Sequence, residues 1–285
     1  KDVGKCLAAA MDLFSDRINT MFVPTWLPTP KKQRFYKAVA RLDEIVYDII
    51  RQHRASGTDR GDLLSMLLQS TDETDGSQMT DQQLRDEIMT LFIAGHETTA
   101  NALTWAFMLL AQHPEVTQKL MAEWQTVLNG RDPTVQDLPQ LRYTERVVLE
   151  SMRLYPPAWL IARQSVEDTH IGKYFLPAGT VVLISQWLVQ RDARFFDNPD
   201  AFQPDRWEND LAKRLPAYAY FPFGGGARVC IGKAFALMEA VLLLTTIGQN
   251  YHLSLLPDRP VRFDPSLTLR PKDGLRMQLQ RSPAS

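Results

Sequence analysis

Through the first half of the chain apolar residues recur three and four positions apart, the period of a helix with one covered face. Leu7 to Met21 reads as the first such helix and ends among Pro24, Pro28 and Pro30. Phe35 to Arg54 follows, with Val39, Leu42, Ile45, Val46, Ile49 and Ile50 on one broad face. Gly57 and Gly61 interrupt it, a short helix is expected over Leu63 to Leu68, and the polar run Ser70 to Met79 reads as a loop. Thr80, with Gln83 three residues on, has the form of a capping box. The helix it opens is expected to run to His113, just before Pro114. At 1.5 Å per residue it would be about 50 Å long, and its middle is apolar on both faces, which places it in the interior. Pro114 opens a further helix ended by Gly130, and Leu141 to Leu154 another, stopped by Pro156 and Pro157.

Beyond these prolines the period shortens. Ile161 to Val166, His170 to Phe175 and Thr180 to Leu183 read as short β segments, with turns at Gly172 and at Pro177 to Gly179. Phe195 to Phe223 is aromatic, proline-rich and irregular, too long for a plain connection, and is expected to wrap the core or to serve function. An apolar helix from Cys230 to about Thr246 comes next, then strands near Tyr251–Leu256 and Leu275–Gln280. No repeat or low-complexity tract appears. The pattern predicts a mainly α domain with a minor β part.

Composition narrows the function. A net charge of −1 spread over 285 residues leaves no basic footprint for nucleic acid. Two cysteines far apart, Cys6 and Cys230, imply no disulfide framework and fit a reducing cytoplasm. Cys6 reads as a plain helix residue. No apolar run is long enough to span a bilayer. The segment Met21 to Leu27 is apolar enough to touch a membrane or gate access, or else to pack on the core as a loop.

The run from Phe223 to Gly232, Phe-Gly-Gly-Gly-Ala-Arg-Val-Cys-Ile-Gly, concentrates the chemistry. Cys230 ends a glycine-rich loop and opens a helical stretch, where unpaired N–H groups and the positive end of the dipole favour thiolate over thiol. The glycines permit close backbone approach to something flat, Phe223 can cover an apolar face, and Arg228 offers a fork for a carboxylate. Those are the requirements for holding heme iron through sulfur. Without that chemistry, the same residues read as a surface loop before a helix with a half-buried cysteine. Within the long helix, Ala94-Gly95-His96-Glu97-Thr98-Thr99 places a glycine and three polar residues in an apolar stretch. Threonine hydroxyls bonding back to the preceding turn can open a helix, and an acid beside an alcohol can relay protons. The alternative is a polar patch on a surface helix. His96 reads as a structural histidine. Glu150 and Arg153 are neighbours on one helix face, set among Leu149, Met152, Leu154 and Tyr155. Phe202-Gln-Pro-Asp-Arg206-Trp207 supplies a third candidate member, Arg206.

The spacing Phe-x-x-Gly-x-Arg-x-Cys-x-Gly resembles the heme-binding loop of the cytochrome P450 family, and the segment at Glu97 and Thr98 resembles that family's oxygen-activation motif. Glu150, Arg153 and Arg206 are similar to its structural triad, which implies a role in folding and heme retention. The resemblance implies heme b, iron protoporphyrin IX, ligated by the Cys230 thiolate and contacted by Phe223, Gly224, Arg228 and Gly232. Arg163, and beside it Leu160, would face the propionates and the substrate cavity; a surface arginine on an edge strand is the other reading. Trp159-x-x-x-Arg163 also has the spacing of the family's propionate motif, but it follows the oxygen-activation helix instead of preceding it and is set aside. All the motifs fall in family order between Ala94 and Gly232, so residues 1–285 are expected to be the C-terminal portion of a P450 domain. Whether this length of chain retains heme is left open.

The implied activity is a monooxygenase that inserts one oxygen atom from O2 into a hydrophobic small molecule. Glu97 would serve as the acid and Thr98 as the alcohol. No flavin or nicotinamide fingerprint appears, so electrons would come from a separate partner such as a ferredoxin or flavodoxin. Apolar residues at Leu91–Phe92 and Leu160–Ile161 suggest a fatty acid, terpene or steroid-like substrate. Three other readings stand beside it: a P450-like peroxygenase or isomerase, a truncated non-catalytic helical domain, and a cysteine hydrolase, for which no basic partner is readable.

Overall fold

The structure is a computed structural model that describes residues 29–281 together with Cys6. The helix expected over Leu7 to Met21 and the segment Met21 to Leu27 lie outside the described residues. The chain forms two compact units, one ending at His96 and the other beginning at Glu97.

In the first unit, α1 (Pro30–Ser56) starts where Thr29 accepts a hydrogen bond from Lys32 N–H and ends on Gly57 in the left-handed conformation. Leu42, Val46 and Ile50 pack with Leu64 of α2 (Leu63–Gln69) and with Leu84 and Met89 of α3 (Asp81–Gln112). Cys6 lies half-buried against this cluster. The capping box forms as expected, Gln83 N–H donating to Thr80 Oγ1 at 3.2 Å and Thr80 N–H to Gln83 Oε1 at 2.9 Å. Asp62 caps α2 by accepting from Ser65 N–H at 2.8 Å and lies 2.9 Å from His53 Nε2.

α3 runs unbroken from Asp81 to Gln112, so the local opening expected at the threonines is not formed. Its second half, from Ala102 to Leu110, is buried, but Phe92, Ala94, Gly95 and His96 at its middle are exposed, against the expectation of an interior helix centre.

The second unit is built on α4 (Pro114–Leu128), α5 (Arg142–Leu154) and a long apolar helix near the C-terminus, α8 (Lys233–Asn250), between which lie two single-turn helices, α6 (Gln186–Val189) and α7 (Leu211–Arg214). α4 ends on Asn129, φ +47°, followed by Gly130 at φ +83°; asparagine tolerates the left-handed conformation better than most residues. Leu141 gives α5 no side-chain cap. Glu123 of α4 replaces it, accepting from Tyr143 N–H (2.6 Å), Thr144 N–H (2.9 Å) and Thr144 Oγ1 (2.7 Å). Trp105, Leu120, Leu128, Leu141, Val147 and Leu244 sit at the centre of this core. Gly248 of α8 admits Trp124 so closely that a Cβ there would lie 2.4 Å from the indole. The β part consists, among the described residues, of four antiparallel pairs: β1 (Ile161–Gln164) with β4 (Val181–Ile184), β2 (Thr169–Ile171) with β3 (Tyr174–Leu176), β5 (Tyr251–Leu255) with β8 (Met277–Arg281), and β6 (Phe263–Pro265) with β7 (Leu269–Pro271). No helix among the described residues is long and apolar enough to cross a membrane.

The irregular stretch from Phe195 to Phe223 is held by one buried carboxylate. Glu150 and Arg153 are both fully enclosed. Arg153 donates to Glu150 through Nε (2.8 Å) and Nη2 (2.9 Å), and Arg206 Nε donates to Glu150 Oε1 at 2.9 Å. Gln203 N–H and Trp207 Nε1 bring the donors on this carboxylate to five. The remaining guanidinium hydrogens of Arg153 reach the carbonyls of Gln190, Pro199 and Ala201. Gln190 adds a second tie, donating to the Met152 and Arg153 carbonyls and accepting from Phe221 N–H at 3.0 Å. Tyr220, whose phenol burial pushes well above its ordinary pKa, donates to the Leu149 carbonyl at 3.0 Å.

Removing one member leaves buried charge without its partner, so Glu150→Ala should cost about 3–5 kcal/mol in chemical denaturation; an unchanged midpoint would contradict the network. In the first unit, the Ser65 N–H holds the Asp62 carboxyl at about 2, below its ordinary 3.8, with the Ser65 hydroxyl and His53 adding to the effect. A depressed folded-state pKa stabilises fully above the ordinary value and ceases to as pH falls through about 2. The stability difference between wild type and Asp62→Ala should therefore be constant above about pH 5 and shrink below pH 4, as read from urea midpoints across that range.

Candidate functional site

The loop that carries Cys230 is closed by its own backbone. Gly224 N–H donates to the Phe221 carbonyl at 2.9 Å, and Cys230 N–H donates to the Phe223 carbonyl at 3.0 Å. Gly224 takes φ +73°, and Gly226 begins a single 3-10 turn through Arg228. Because Phe221 is bonded to Gln190, the loop continues directly from the buried network on α5. The helix after it begins later than its apolar pattern suggests. Gly232 is the N-cap and Lys233 the first helical residue, so Cys230 precedes α8 instead of opening it. The Cys230 carbonyl accepts from Lys233 N–H in a three-residue turn at 3.4 Å, and four-residue helical bonding begins only with Ala236 N–H on the Gly232 carbonyl at 2.8 Å. The thiol nevertheless turns back over the helix start: a Cβ placed on Gly232 would lie 3.8 Å from Cys230 Sγ.

Cys230 is free and exposed. Around it in sequence Ile231 is 88 % exposed and Phe235 62 %, with Val229 also open to solvent. Phe223 is half-buried against the core of the second unit. Arg228 is exposed and makes no ion pair with any described residue. Tested on these residues, an iron porphyrin fits: a lone sulfur donor at a helix start, apolar side chains beside it that have no cover, glycine where backbone must lie close, and a guanidinium open to a carboxylate.

β1 comes against this loop. A Cβ on Gly224 would lie 3.6 Å from Ile161 Cδ1. Alternation puts Arg163 on the same strand face as Ile161, about 7 Å further along. Its guanidinium is exposed and donates to the neighbouring Ala162 carbonyl at 2.8 Å. Phe223, Gly224, Arg228, Cys230 and Gly232 thus share one loop with the Arg163 strand beside it.

Glu97 and Thr98 stand on α3, and Glu97 is bonded to a different loop, between β6 and β7. Its Oε1 accepts from Thr268 Oγ1 at 2.8 Å and lies 3.8 Å from Arg270 Nη1. Glu97 Oε2 is buried and has no hydrogen-bond partner among the described residues. Asn101, one turn along α3, donates to the same threonine hydroxyl at 3.2 Å. Sequence reasoning missed Asn101, Thr268 and Arg270, which lie more than 160 residues from Glu97 or on its unremarked next turn. His96 is exposed, and its ring lies 6.2 Å from that of Phe92 between centroids.

Residues 3–278 match the family model described as Cytochrome P450. The chain is 43% identical over 244 residues to the cyclooctatin synthase of Streptomyces melanosporofaciens, covering 85% of this chain and 53% of that protein. It is 40% identical over 262 residues to the pentalenene oxygenase of Streptomyces avermitilis, covering 91% and 58%. The cyclooctat-9-en-7-ol 5-monooxygenase of the former organism is 42% identical over 231 residues, covering 81% and 50%. The chain therefore spans about half the length of these relatives. Among solved structures, the heme domain of cytochrome P450DA superposes with a TM-score of 0.89 at 31% identity, over all of this chain and 62% of that one.

The left-handed backbone at Gly224 is expensive for any residue with a Cβ. Gly224→Ala should lower stability by about 1–2 kcal/mol in chemical denaturation; a wild-type midpoint would mean that the loop does not hold that conformation.

Proposed function

The chain belongs to the cytochrome P450 family, and from that premise we propose that it forms the heme-bearing part of a monooxygenase. In this reading residues 1–285 are part of one P450 domain, which puts one oxygen atom of O2 into a hydrophobic small molecule. Electrons come from a separate protein, a ferredoxin or flavodoxin. The observation that carries the reading is the exposed thiol of Cys230, held over the start of α8 by a loop closed on Phe223.

Cys230 supplies the thiolate ligand of heme b, and the bound group provides the site where O2 is activated. Phe223 and Gly224 give the loop its flat approach, and Gly232 leaves room beside the sulfur. Arg228, from the loop, and Arg163, from β1, each present a guanidinium fork to a propionate carboxylate. Glu97 and Thr98 hold and pass protons, the carboxylate through its unbonded Oε2 and the threonine through its hydroxyl. The protein thus contributes the ligand, the orientation and the proton path.

The names of two relatives specify pentalenene and cyclooctat-9-en-7-ol as what they act on. They support an unsaturated apolar substrate here, within the hydrophobic class that the residues around Leu160 and Ile161 suggest.

The thiolate assignment is tested by the optical spectrum of the heme-loaded protein after reduction and addition of carbon monoxide. Wild type should give the red-shifted Soret band of a thiolate ligand, and Cys230→Ser should lose both that band and turnover. Retention of both in Cys230→Ser would overturn the assignment.

A further inference from the structure

Glu97 does not stand free on α3; it is fixed by a threonine from the far end of the chain. Thr268 lies in the tight connection between β6 and β7 and is 7 % exposed. The connection is clamped on both sides by tryptophan. Trp159 Nε1 donates to the Ser266 carbonyl at 2.9 Å, and Trp105 Nε1 donates to the Leu269 carbonyl at 3.0 Å. Leu269 N–H in turn donates to the Pro157 carbonyl at 2.9 Å. The Thr268 hydroxyl is therefore preset by backbone that has little freedom to shift.

A threonine hydroxyl has one proton to donate. Asn101 Nδ2 donates to it, so its own proton has one remaining direction, toward Glu97 Oε1 at 2.8 Å. Arg270 approaches that same oxygen at 3.8 Å while its Nε holds Asp264 Oδ2 at 3.0 Å. Thr268 and Arg270 both approach Oε1, and Oε2 is left buried and without a hydrogen-bond partner among the described residues.

We propose that Thr268 is a positioning residue for the proton step, acting through Glu97. It occupies one carboxylate oxygen and fixes the plane of the group, so that Oε2 alone carries the proton that Glu97 gives up and takes back. Asn101 fixes the direction of the Thr268 hydroxyl, and Arg270 and Asp264 are the charged groups that face the carboxylate. The inference rests on the reading of Glu97 as the acid.

Two measurements test it. The first needs no heme: the infrared carboxylate band of Glu97, isolated in protein labelled with 13C-glutamate by subtracting Glu97→Gln, should shift in Thr268→Val and keep its wild-type position in Thr268→Ser. An unmoved band in Thr268→Val would overturn the proposal. The second is the ratio of peroxide released to product formed in the heme-loaded protein. Losing a hydrogen bond to a charged group should raise that ratio about tenfold in Thr268→Val, Thr268→Ser should restore it, and Thr268→Val should add nothing in a Glu97→Gln background. An equal effect of Thr268→Val in that background would overturn the proposal. So would a wild-type ratio in Thr268→Val beside a raised one in Glu97→Gln, and that result would leave the acid role of Glu97 intact. A wild-type ratio in Glu97→Gln, with the thiolate band retained, would overturn the acid role itself and this inference with it.

Discussion

Five donors converge on the two oxygens of Glu150 in a place that water does not reach. Enclosing a carboxylate and a guanidinium costs several kcal/mol per ion, and only near-complete satisfaction offsets it. Here every guanidinium hydrogen of Arg153 is used, and three of its partners are backbone carbonyls of the segment from Gln190 to Ala201. A chain without regular secondary structure has few hydrogen bonds of its own to hold it. The network supplies them from outside, and Arg153 also lies 5.0 Å over the ring of the buried Phe196.

The same network determines where the sulfur goes. From α5 the path runs through the Gln190 side chain to Phe221, through Phe221 to Gly224, and through Phe223 to Cys230, each step a hydrogen bond of about 3 Å. A side chain at the end of such a path is fixed relative to the helical core, although the residue itself is exposed. β1 reaches the loop at Gly224 through Ile161, so the strand that carries Arg163 is referred to the same frame.

Local spacing made much of this legible. Glu150 and Arg153 are one helical turn apart, Arg206 is marked by the prolines and aromatics around it, and the Cys230 loop has a glycine pattern that few other sites require. The helices were legible within a few residues because Thr80, Pro114 and the Pro156–Pro157 pair mark their ends. Features that depend on distant contact were not. Gln190 and Tyr220 join α5 to the loop across 31 to 71 residues with no local signal. The β6–β7 hairpin was missed because each of its strands ends in a proline, a residue that argues against strand pairing. Thr268 went with it. The start of α8 was misread because the apolar pattern continues back to Cys230, whereas helical bonding begins only at the Gly232 carbonyl, after a tighter turn at Cys230.

Iron-edge X-ray absorption of the heme-loaded protein tests the central claim most directly, because it reads the atoms bonded to the metal. Wild type should show a sulfur neighbour at the iron, and Cys230→Ser should replace it with oxygen or nitrogen. A wild-type spectrum that requires only nitrogen and oxygen neighbours would contradict that claim.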